Sequence, residues 1–366
     1  MSTPSVSLLL CGGGTPGLRE LNVSSCALPS LDAVFAHPWL RRLVARSIVC
    51  GELPQNVTSS SVEEMELEII GIHSTAAPSL PCFIASKCSR LNSLVLSGTN
   101  VDLSHLDAPA LEHLRFETDS ICVLDLSRCR QLRSMVVGKR VVLNHTGGFG
   151  GLSSLRDLRC LTVEAAETPT LTDFADLASC VSLETIVVHA AKGLTSLQGL
   201  AGLPNLTRVE ITSAPRLRML ADFSNSRCLR GLYVPGNRAL TQGALAELGC
   251  IPSLQELDLT GAPSIHTISC LVRSCAGLIV LGLSDCSVTS SGLLGVRDLS
   301  RLEVLLIDRC AGVDGNVVDE LMACKRLRRL SARGTQLSEV NCFALRRHVV
   351  DVRLPRLPAF CHVCFL

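Results

Sequence analysis

The chain has 366 residues, a hydrophobic fraction of 47%, a charged fraction of 18% and a formal net charge of +1. No run of about 20 continuous apolar residues occurs, so the sequence predicts no membrane-spanning helix. The apolar stretch at residues 6–11 is too short for a secretory signal core and has no basic residue before it, so no signal peptide is expected.

Residues 1–17 are predicted to form an N-terminal cap. Within them, Gly12 to Gly17 fit the pattern Gly-x-Gly-x-x-Gly. A dinucleotide-binding loop of this pattern opens a helix whose N-terminus holds the pyrophosphate. Here Pro16 disfavours a helix and a strand-like segment begins at Leu18. The run is therefore interpreted as a turn, and no cofactor is predicted.

From Leu18 onward a motif of the form Leu-x-x-Leu-x-Leu returns along the chain. The first eight copies are loose and begin at Leu18, Leu40, Val62, Leu91, Leu111, Leu132, Leu158 and Leu183. Six clear copies, spaced by 23, 25, 24, 24 and 25 residues, begin at Leu206, Leu229, Leu254, Leu278, Leu302 and Leu327, and a degenerate copy surrounds Val350 and Val352. In a strand, alternate side chains face one side, so the fourth and sixth motif residues enter one core. The motif predicts about 15 units that must stack to bury this face.

A small residue usually stands three positions after the last apolar residue of the motif. The examples are Cys26, Thr99, Ala191, Ala214, Asn237, Ala262, Cys286, Cys310 and Thr335. The position is predicted to lie at an inward bend, where Asn, Cys or Thr can bond to backbone groups of the turn. Asp119 and Arg140 depart from this rule, and residues 121–129 offer a competing register. The register between Leu91 and Leu158 therefore stays open.

The segments outside the predicted strands differ in kind. Residues 142–157 are predicted to be a loop inserted into one repeat, and the Gly-rich residues 192–203 a turn or 3₁₀ segment. Residues 240–249 and 313–324 have helical spacing, with N-caps expected at Thr241 and Asp314.

The phrases Leu281-Gly-Leu-Ser-Asp-Cys286 and Leu305-Leu-Ile-Asp-Arg-Cys310 mark a family resemblance. Over most of its length the chain resembles leucine-rich-repeat proteins, and its later units resemble their cysteine-containing subclass. The resemblance implies an α/β solenoid, a curved horseshoe with a parallel sheet on the concave face and helices and turns on the convex face. It also implies binding to a partner rather than catalysis. No linker interrupts the period, so one repeat domain is predicted at residues 18–354, with a C-terminal cap or tail at 355–366.

The chain contains 19 cysteines, an odd number, and many fall at repeat-equivalent places. Six lie one to four residues before the first Leu of a unit: Cys88, Cys180, Cys228, Cys250, Cys275 and Cys324. Cysteines this regular are predicted to be small buried hydrophobes with free thiols. Free thiols persist in a reducing compartment, so a cytoplasmic location is predicted, with the nucleus as the other possibility.

Few residues suggest chemistry. Cys361 and Cys364 could be half of a zinc site completed by Cys342 or His348, but a second Cys pair is lacking, so free thiols are favoured and no metal is predicted. The sequence contains no P-loop Lys, no His-Glu-x-x-His and no Gly-x-Ser-x-Gly. We therefore expect neither an enzyme nor a small-molecule substrate.

Most variable positions of the predicted strands are polar, as expected for a solvated concave face. Ile279, Val280, Val304 and Leu306 are apolar there, and Tyr233 lies two units before Ile279. An apolar stripe on such a face is a candidate contact site. Burial of the stripe against the C-terminal units is the alternative, and the sequence leaves both open.

Charge is unevenly distributed along the repeats. From Lys325 onward nine Lys or Arg residues, among them Arg328, Arg329 and Arg333, meet only two acidic residues. This region suits either an acidic partner, such as RNA, an acidic protein tail or phospholipid, or a solubilising end-cap. Near the start, opposite charges on neighbouring units are predicted to pair across the ladder: Arg41, Arg42 and Arg46 with Glu63, Glu64, Glu66 and Glu68.

These patterns predict a non-catalytic protein-binding scaffold or adaptor. The predicted contact residues are Tyr233, Ile279, Val280, Val304, Leu306, Arg328, Arg329 and Arg333. One alternative is the substrate-recognition subunit of a ubiquitin ligase, because the cysteine-containing subclass is often joined to an F-box. No helical F-box module precedes the repeats, so that role would need a second subunit. The other alternative, RNA binding through the basic C-terminal region, lacks aromatic stacking platforms.

Overall fold

The computed structural model describes residues 17–24, 37–50, 61–72, 87–98, 103, 106–118, 121–122, 126–138, 142–143, 152–164, 171–248 and 250–353. The chain forms two compact units, one of residues 1–171 and 176–188 and the other of residues 172–175 and 189–366. The Gly-rich motif except Gly17, the tail at 355–366 and Cys361 and Cys364 lie outside the described residues.

Fifteen parallel strands form one open sheet in chain order. The strands up to residue 189 are β1 (Glu20–Asn22), β2 (Arg42–Cys50), β3 (Glu64–Ile72), β4 (Ser93–Gly98), β5 (His113–Thr118), β7 (Ser134–Val137), β9 (Cys160–Val163) and β10 (Thr185–His189). The later strands are β11 (Arg208–Thr212), β12 (Gly231–Tyr233), β13 (Glu256–Asp258), β14 (Val280–Gly282), β15 (Val304–Leu306), β16 (Arg329–Ser331) and β17 (Asp351–Arg353). Each strand contains the fourth residue of one motif copy, so the predicted 15 units are confirmed.

The motif leucines form the core. Leu257, Leu281 and Leu305 stack in register on neighbouring strands, and all three are fully buried. The sixth motif residues, such as Leu283 and Ile307, are fully buried as well. Burial of one such side chain contributes about 1.5–3 kcal/mol. A single unit supplies only a few of them, so its stability depends on the units on either side.

The register that the sequence left open is settled by the strand pairing. Leu114, Met135 and Leu161 face each other across β5, β7 and β9, and all three are buried, as the repeat predicts. The competing segment does pair, but elsewhere: β6 (Ile121–Cys122) and β8 (Val142–Leu143) form a separate two-stranded sheet. This region therefore contains two sets of paired strands: β5, β7 and β9 belong to the main sheet, and β6 and β8 form the small one.

The chain leaves each late strand through a left-handed residue, which we call the corner residue. It stands two positions after the last core residue of the motif, and its φ lies between 54° and 81° in seven successive units. The corner residues are Ala190, Ser213, Gly236, Gly261, Asp285, Arg309 and Gly334. In the first six, the corner N–H donates to the carbonyl just before the next corner residue, at 2.6–3.4 Å. Four of the seven are not glycine, so this ladder holds L-residues in a conformation that costs about 1–2 kcal/mol each.

The next residue lies at the predicted inward bend. Asn237 is fully buried; its Nδ2 donates to the carbonyls of Ile211 and Val234 at 3.0 and 2.8 Å, and its Oδ1 accepts from Ala214 N–H at 2.6 Å. The thiols of Cys286 and Cys310 each donate to one carbonyl, at 3.3 and 3.1 Å. These bonds confirm the role predicted for Asn and Cys at this position.

Among the cysteines that precede the first motif residue of a unit, burial follows one position rather than a range. Cys88, Cys180, Cys275 and Cys324 stand three residues before the first motif residue, and all four are buried. Burial raises the pKa of the Cys275 thiol to about 11. The prediction was wrong for Cys228 and Cys250, which are exposed. They stand one and four residues before the first Leu, so they miss the turn position, which Ser226 and Ile251 fill.

The outer segments confirm both predicted helices. The helices bounded within the described residues include α1 (Gln242–Glu247), α2 (Ser269–Ser274), α3 (Val318–Met322) and α4 (Glu339–His348), with 3₁₀ turns at Ala175–Ser179, Ser291–Leu293, Val296–Asp298 and Gly315–Val317. Asp314 accepts from Asn316 N–H at 3.0 Å and caps the turn that leads into α3, whereas Thr241 makes no capping bond. Residues 192–203 form turns, as expected. Of the loop predicted at 142–157, residues 144–151 lie outside the described part.

Helix α3 carries a nearly buried carboxylate. Glu320 has a side-chain exposure of 7% and accepts hydrogen bonds from the Arg297 guanidinium and, at 3.2 Å, from Gly295 N–H. The bonds from Arg297 hold the pKa of Glu320 below its ordinary value. The carboxylate thus joins α3 to the preceding unit.

The charges near the start pair across neighbouring strands. Arg42 lies opposite Glu64 in register, with Nε 3.6 Å from Oε2, and Arg46 Nε donates to Glu66 Oε1 at 2.8 Å. Arg41 and Glu63 are 3.8 Å apart. The predicted pairing of these rungs is confirmed. The arginines are half or more exposed and Glu63 and Glu66 are about one-third exposed, so each pair contributes at most about 1 kcal/mol.

Candidate partner-binding surface

The side chains on either side of the central core residue of each strand form the open face of the sheet. Strand register arranges them in two rows. From β11 to β17 the first row is Arg208, Gly231, Glu256, Val280, Val304, Arg329 and Asp351. The second row is Glu210, Tyr233, Asp258, Gly282, Leu306, Ser331 and Arg353. These rows contain most of the residues that the sequence predicted to bind a partner.

Three predicted apolar residues come together on this face. Val280 and Val304 are direct register partners in the first row, and Leu306 follows Val304 on the same side of β15. All three are half-buried, so part of each side chain reaches solvent. Ile279 is also half-buried but stands just before β14, where its N–H donates to the Gln255 carbonyl at 2.7 Å. We call Val280, Val304 and Leu306 the apolar cluster.

A glycine lets a carboxylate lie beside the cluster. Gly282 lies between Asp258 and Leu306 in the second row. A Cβ atom on Gly282 would stand only 2.5 Å from Asp258 Oδ1, so the carboxylate leans over the glycine. Asp258 Oδ1 also accepts Thr260 N–H at 2.9 Å. The Asp258 carboxylate therefore covers Gly282 and borders the apolar cluster next to Leu306.

Tyr233 is engaged within the sheet rather than joined to the cluster. It shares the second row with Leu306, but Asp258 and Gly282 lie between them. The Tyr233 hydroxyl donates to Glu256, and the Arg208 guanidinium lies 4.1 Å from the centre of its ring. Burial, followed by the bond to Glu256, raises the pKa of Tyr233 to about 12. The phenol therefore stays protonated at neutral pH, and its contacts hold the ring in place beside the surface.

The basic residues lie on the other side of the cluster. Arg329 follows Val304 in the first row and donates to Asp351 at 2.8 Å. Arg328 stands just before β16 and is 3.8 Å from Glu303. Arg333 follows β16 and is exposed; its backbone N–H, not its side chain, donates to Asp308 at 2.7 Å. The three predicted arginines thus flank the cluster, two of them in surface ion pairs.

The structure adds residues that sequence reasoning missed. Single valines occupy the second row of four earlier strands: Val44, Val95, Val136 and Val187. Each stands among polar neighbours, so an apolar residue on this face is not unusual by itself. The carboxylates Glu256 and Asp258 were missed as well, although Glu256 shares the motif position of Val280 and Asp258 that of Leu306. A comparison of all residues at equivalent motif positions, and not of the apolar ones alone, would have found them.

Other predicted features fall outside this surface. Within the described ranges no helix is both long and apolar enough to cross a membrane, and no three His, Cys, Asp or Glu side chains are grouped as metal ligands would be. Cys342, proposed as a possible zinc ligand, is buried in α4 with its thiol 3.9 Å from the Leu337 carbonyl.

Comparison with known proteins finds similarity in structure and none in sequence. Neither a family model nor a curated protein sequence matches the chain. A leucine-rich-repeat protein of Leptospira interrogans is similar with a TM-score of 0.59 and 16% identity, covering 92% of this chain and 89% of that one. The internalin InlF of Listeria monocytogenes has a TM-score of 0.53 at 15% identity, over 89% of this chain and 93% of that one.

A longer structure is similar over part of its length. Toll in the Toll–Spatzle complex of Drosophila has a TM-score of 0.58 at 13% identity, with 92% of this chain matching 51% of that one. At such identities the likeness concerns the fold alone. The fifteen parallel strands in chain order, the leucine register and these likenesses together show that the chain has the leucine-rich-repeat fold.

Proposed function

We propose that the chain is a non-catalytic protein-binding scaffold or adaptor, whose partner contacts the open face of the sheet between β13 and β16. The observation that carries the proposal is the apolar cluster. Val280, Val304 and Leu306 lie together in part-exposed positions, whereas the other valines of the face stand singly. A contiguous apolar area within a polar surface is the usual centre of a protein contact.

The surroundings of the cluster support a contact surface over simple burial. Glu256 and Asp258 border it on one side, and Arg329 and Arg333 on the other. A polar rim around an apolar centre is the arrangement found in non-obligate interfaces. Because the cluster lies on strands rather than loops, its geometry is set before the partner arrives, which lowers the entropic cost of binding.

RNA binding is less well supported. The carboxylates of Glu256, Asp258, Glu303 and Asp308 lie on or beside the same face, where they would repel phosphate. Arg328 and Arg329 already contact carboxylates. One similar structure is a complex of TLR13 with single-stranded RNA (TM-score 0.51, 18% identity), but that partner is a property of that protein.

The test is recovery of partners from native extracts by affinity purification with the full-length chain. Leu306→Glu with Arg329→Glu should abolish recovery of the proteins bound by the wild type, since a charge enters the cluster and the neighbouring cation is reversed. Val44→Glu, at the second-row position of β2, is the matched control and should leave recovery unchanged. Circular dichroism confirms that each variant is folded. Undiminished recovery with the double variant would show that the partner uses another surface.

A further inference from the structure

The acidic side of the apolar cluster lacks the partners that carboxylates have elsewhere on the sheet. Glu64, Glu210 and Asp351 each lie within 4 Å of an arginine nitrogen. Among the residues that the structure describes, no Lys, Arg or His comes that close to Glu256 or Asp258. Both are half-buried, and they stand two residues apart on the same side of β13.

The hydrogen bonds of these two carboxylates leave acceptor capacity. Glu256 accepts the Tyr233 hydroxyl through Oε2, and Asp258 accepts Thr260 N–H through Oδ1. An ionised carboxylate offers about four lone-pair sites. Two neighbouring anions that share a half-buried place without a cation favour a cationic ligand, which would be attracted to both.

The basic side also has a charged side chain that is available to a ligand. Arg333 is exposed, and within the described part of the chain its guanidinium has no carboxylate within 4 Å. Arg329 beside it forms a mostly exposed ion pair with Asp351. Such pairs contribute little to stability, so an anionic group of a ligand could replace Asp351. An anionic group of a ligand could therefore bind at β16.

The sheet fixes the distance between these two charged edges. Three strand steps separate β13 from β16. At about 4.8 Å per step this is about 14 Å, which an extended peptide covers in about four residues. Between the edges the ligand would cross the apolar side chains of Val280, Val304 and Leu306, next to Gly282, which the Asp258 carboxylate covers.

We propose that the ligand is a short extended protein segment that crosses the strands from β13 to β16. It places a Lys or Arg over Glu256 and Asp258, an apolar side chain on the cluster, and an Asp or Glu about four residues from the basic one over Arg333. This inference rests on the proposed function, because it names the ligand of the same surface. The acidic edge selects a protein segment over a nucleic acid, whose phosphates would meet Glu256 and Asp258.

The experiment is selection of random 12-residue peptides displayed on phage against the full-length chain and its charge-reversed variants. The wild type should select peptides with a basic and an acidic residue about four positions apart and an apolar residue between them. Asp258→Lys should lose the preference for the basic residue and keep the acidic one, and Arg333→Glu should do the reverse. Arg301→Glu, an exposed arginine in the turn before β15, is the matched control and should select the same peptides as the wild type.

Affinities of the selected peptides make the test quantitative. Each charge reversal should weaken binding of a wild-type-selected peptide about tenfold, because a like charge then faces the ligand. Reversing the matching charge in the peptide should restore binding to the variant. Binding should also weaken as salt is raised, since exposed charges are screened within about 10 Å at 0.1 M.

The outcomes separate this inference from the proposed function. Selection of apolar peptides without the charge pattern, or of no peptides at all, would overturn the inference. If Leu306→Glu with Arg329→Glu still abolished partner recovery in that case, the surface would stand and only the nature of the ligand would be wrong. Retention of RNA that depends on Arg329 and Arg333 would overturn both.

Discussion

Replacement of Asn237 by Ala isolates the contribution of a side chain that bonds two neighbouring units. The buried amide makes three hydrogen bonds: one from Ala214 N–H and two to the carbonyls of Ile211 and Val234. At a net contribution of about 1 kcal/mol each, their loss should lower the free energy of unfolding by about 3 kcal/mol. Ala already fills the equivalent position at residue 262, so the size of the new side chain is not the cause.

The measurement is urea unfolding of the full-length chain, followed by circular dichroism, with midpoints compared at constant slope. Cys286→Ala is the control at an equivalent bend, where a single thiol bond to Leu259 is lost and about 1 kcal/mol is expected. Asn237→Ala should therefore be clearly the less stable variant. Equal losses for the two variants would refute the idea that the amide bonds hold this bend.

Three further predictions concern backbone space, pH and thiol access. Gly199→Ala should destabilise the chain by more than about 3 kcal/mol in urea unfolding, because φ is +96° and a Cβ would overlap backbone atoms; Gly202→Ala, with nothing within 4 Å, should stay within about 0.5 kcal/mol. Because the folded-state pKa of Glu320 is lowered, its stabilisation is complete above the unfolded value of about 4.3 and disappears as pH falls through the folded value. The difference in unfolding free energy between the wild type and Glu320→Gln should shrink accordingly in acid, and a constant difference would contradict this. Iodoacetamide should label exposed Cys228 quickly in the native chain and spare buried Cys286, whose pKa burial raises to about 12, as mass spectrometry of the digest can show.

The fold could be predicted from sequence because one spacing controls it. A leucine at the fourth motif position enters the core wherever the strand lies, so Leu257, Leu281 and Leu305 could be placed without knowledge of their neighbours. The same rule placed Leu114 correctly despite the competing segment. The separate prediction for cysteines before the first Leu was wrong for Cys228, because the turn there buries the residue three positions before that Leu and Cys228 stands one position before it.

The site was predicted less completely, because the motif position of a residue does not show which neighbours its side chain contacts. Tyr233 was grouped with the apolar residues, and the structure instead directs its hydroxyl to Glu256. The carboxylate of Asp258 leans over Gly282 through a contact between units, which sequence spacing cannot give. Only strand register placed Asp258, Gly282 and Leu306 in one row, with Arg333 two residues beyond the β16 member of that row, Ser331.

Because the corner geometry repeats from unit to unit, the chain should tolerate removal of one whole unit. Deleting residues 262–285 would join Gly261 to Cys286, and this junction keeps the local order, because Gly261 is equivalent to Asp285 and Cys286 is equivalent to Ala262. The Gly261 N–H could then donate to the Asp308 carbonyl, as Asp285 N–H does now at 2.8 Å. The shortened chain should fold with one strand fewer and bring its charged edges about 4.8 Å closer. Its preferred peptide would then be one residue shorter between the charges, so the length of the ligand is set by the number of units.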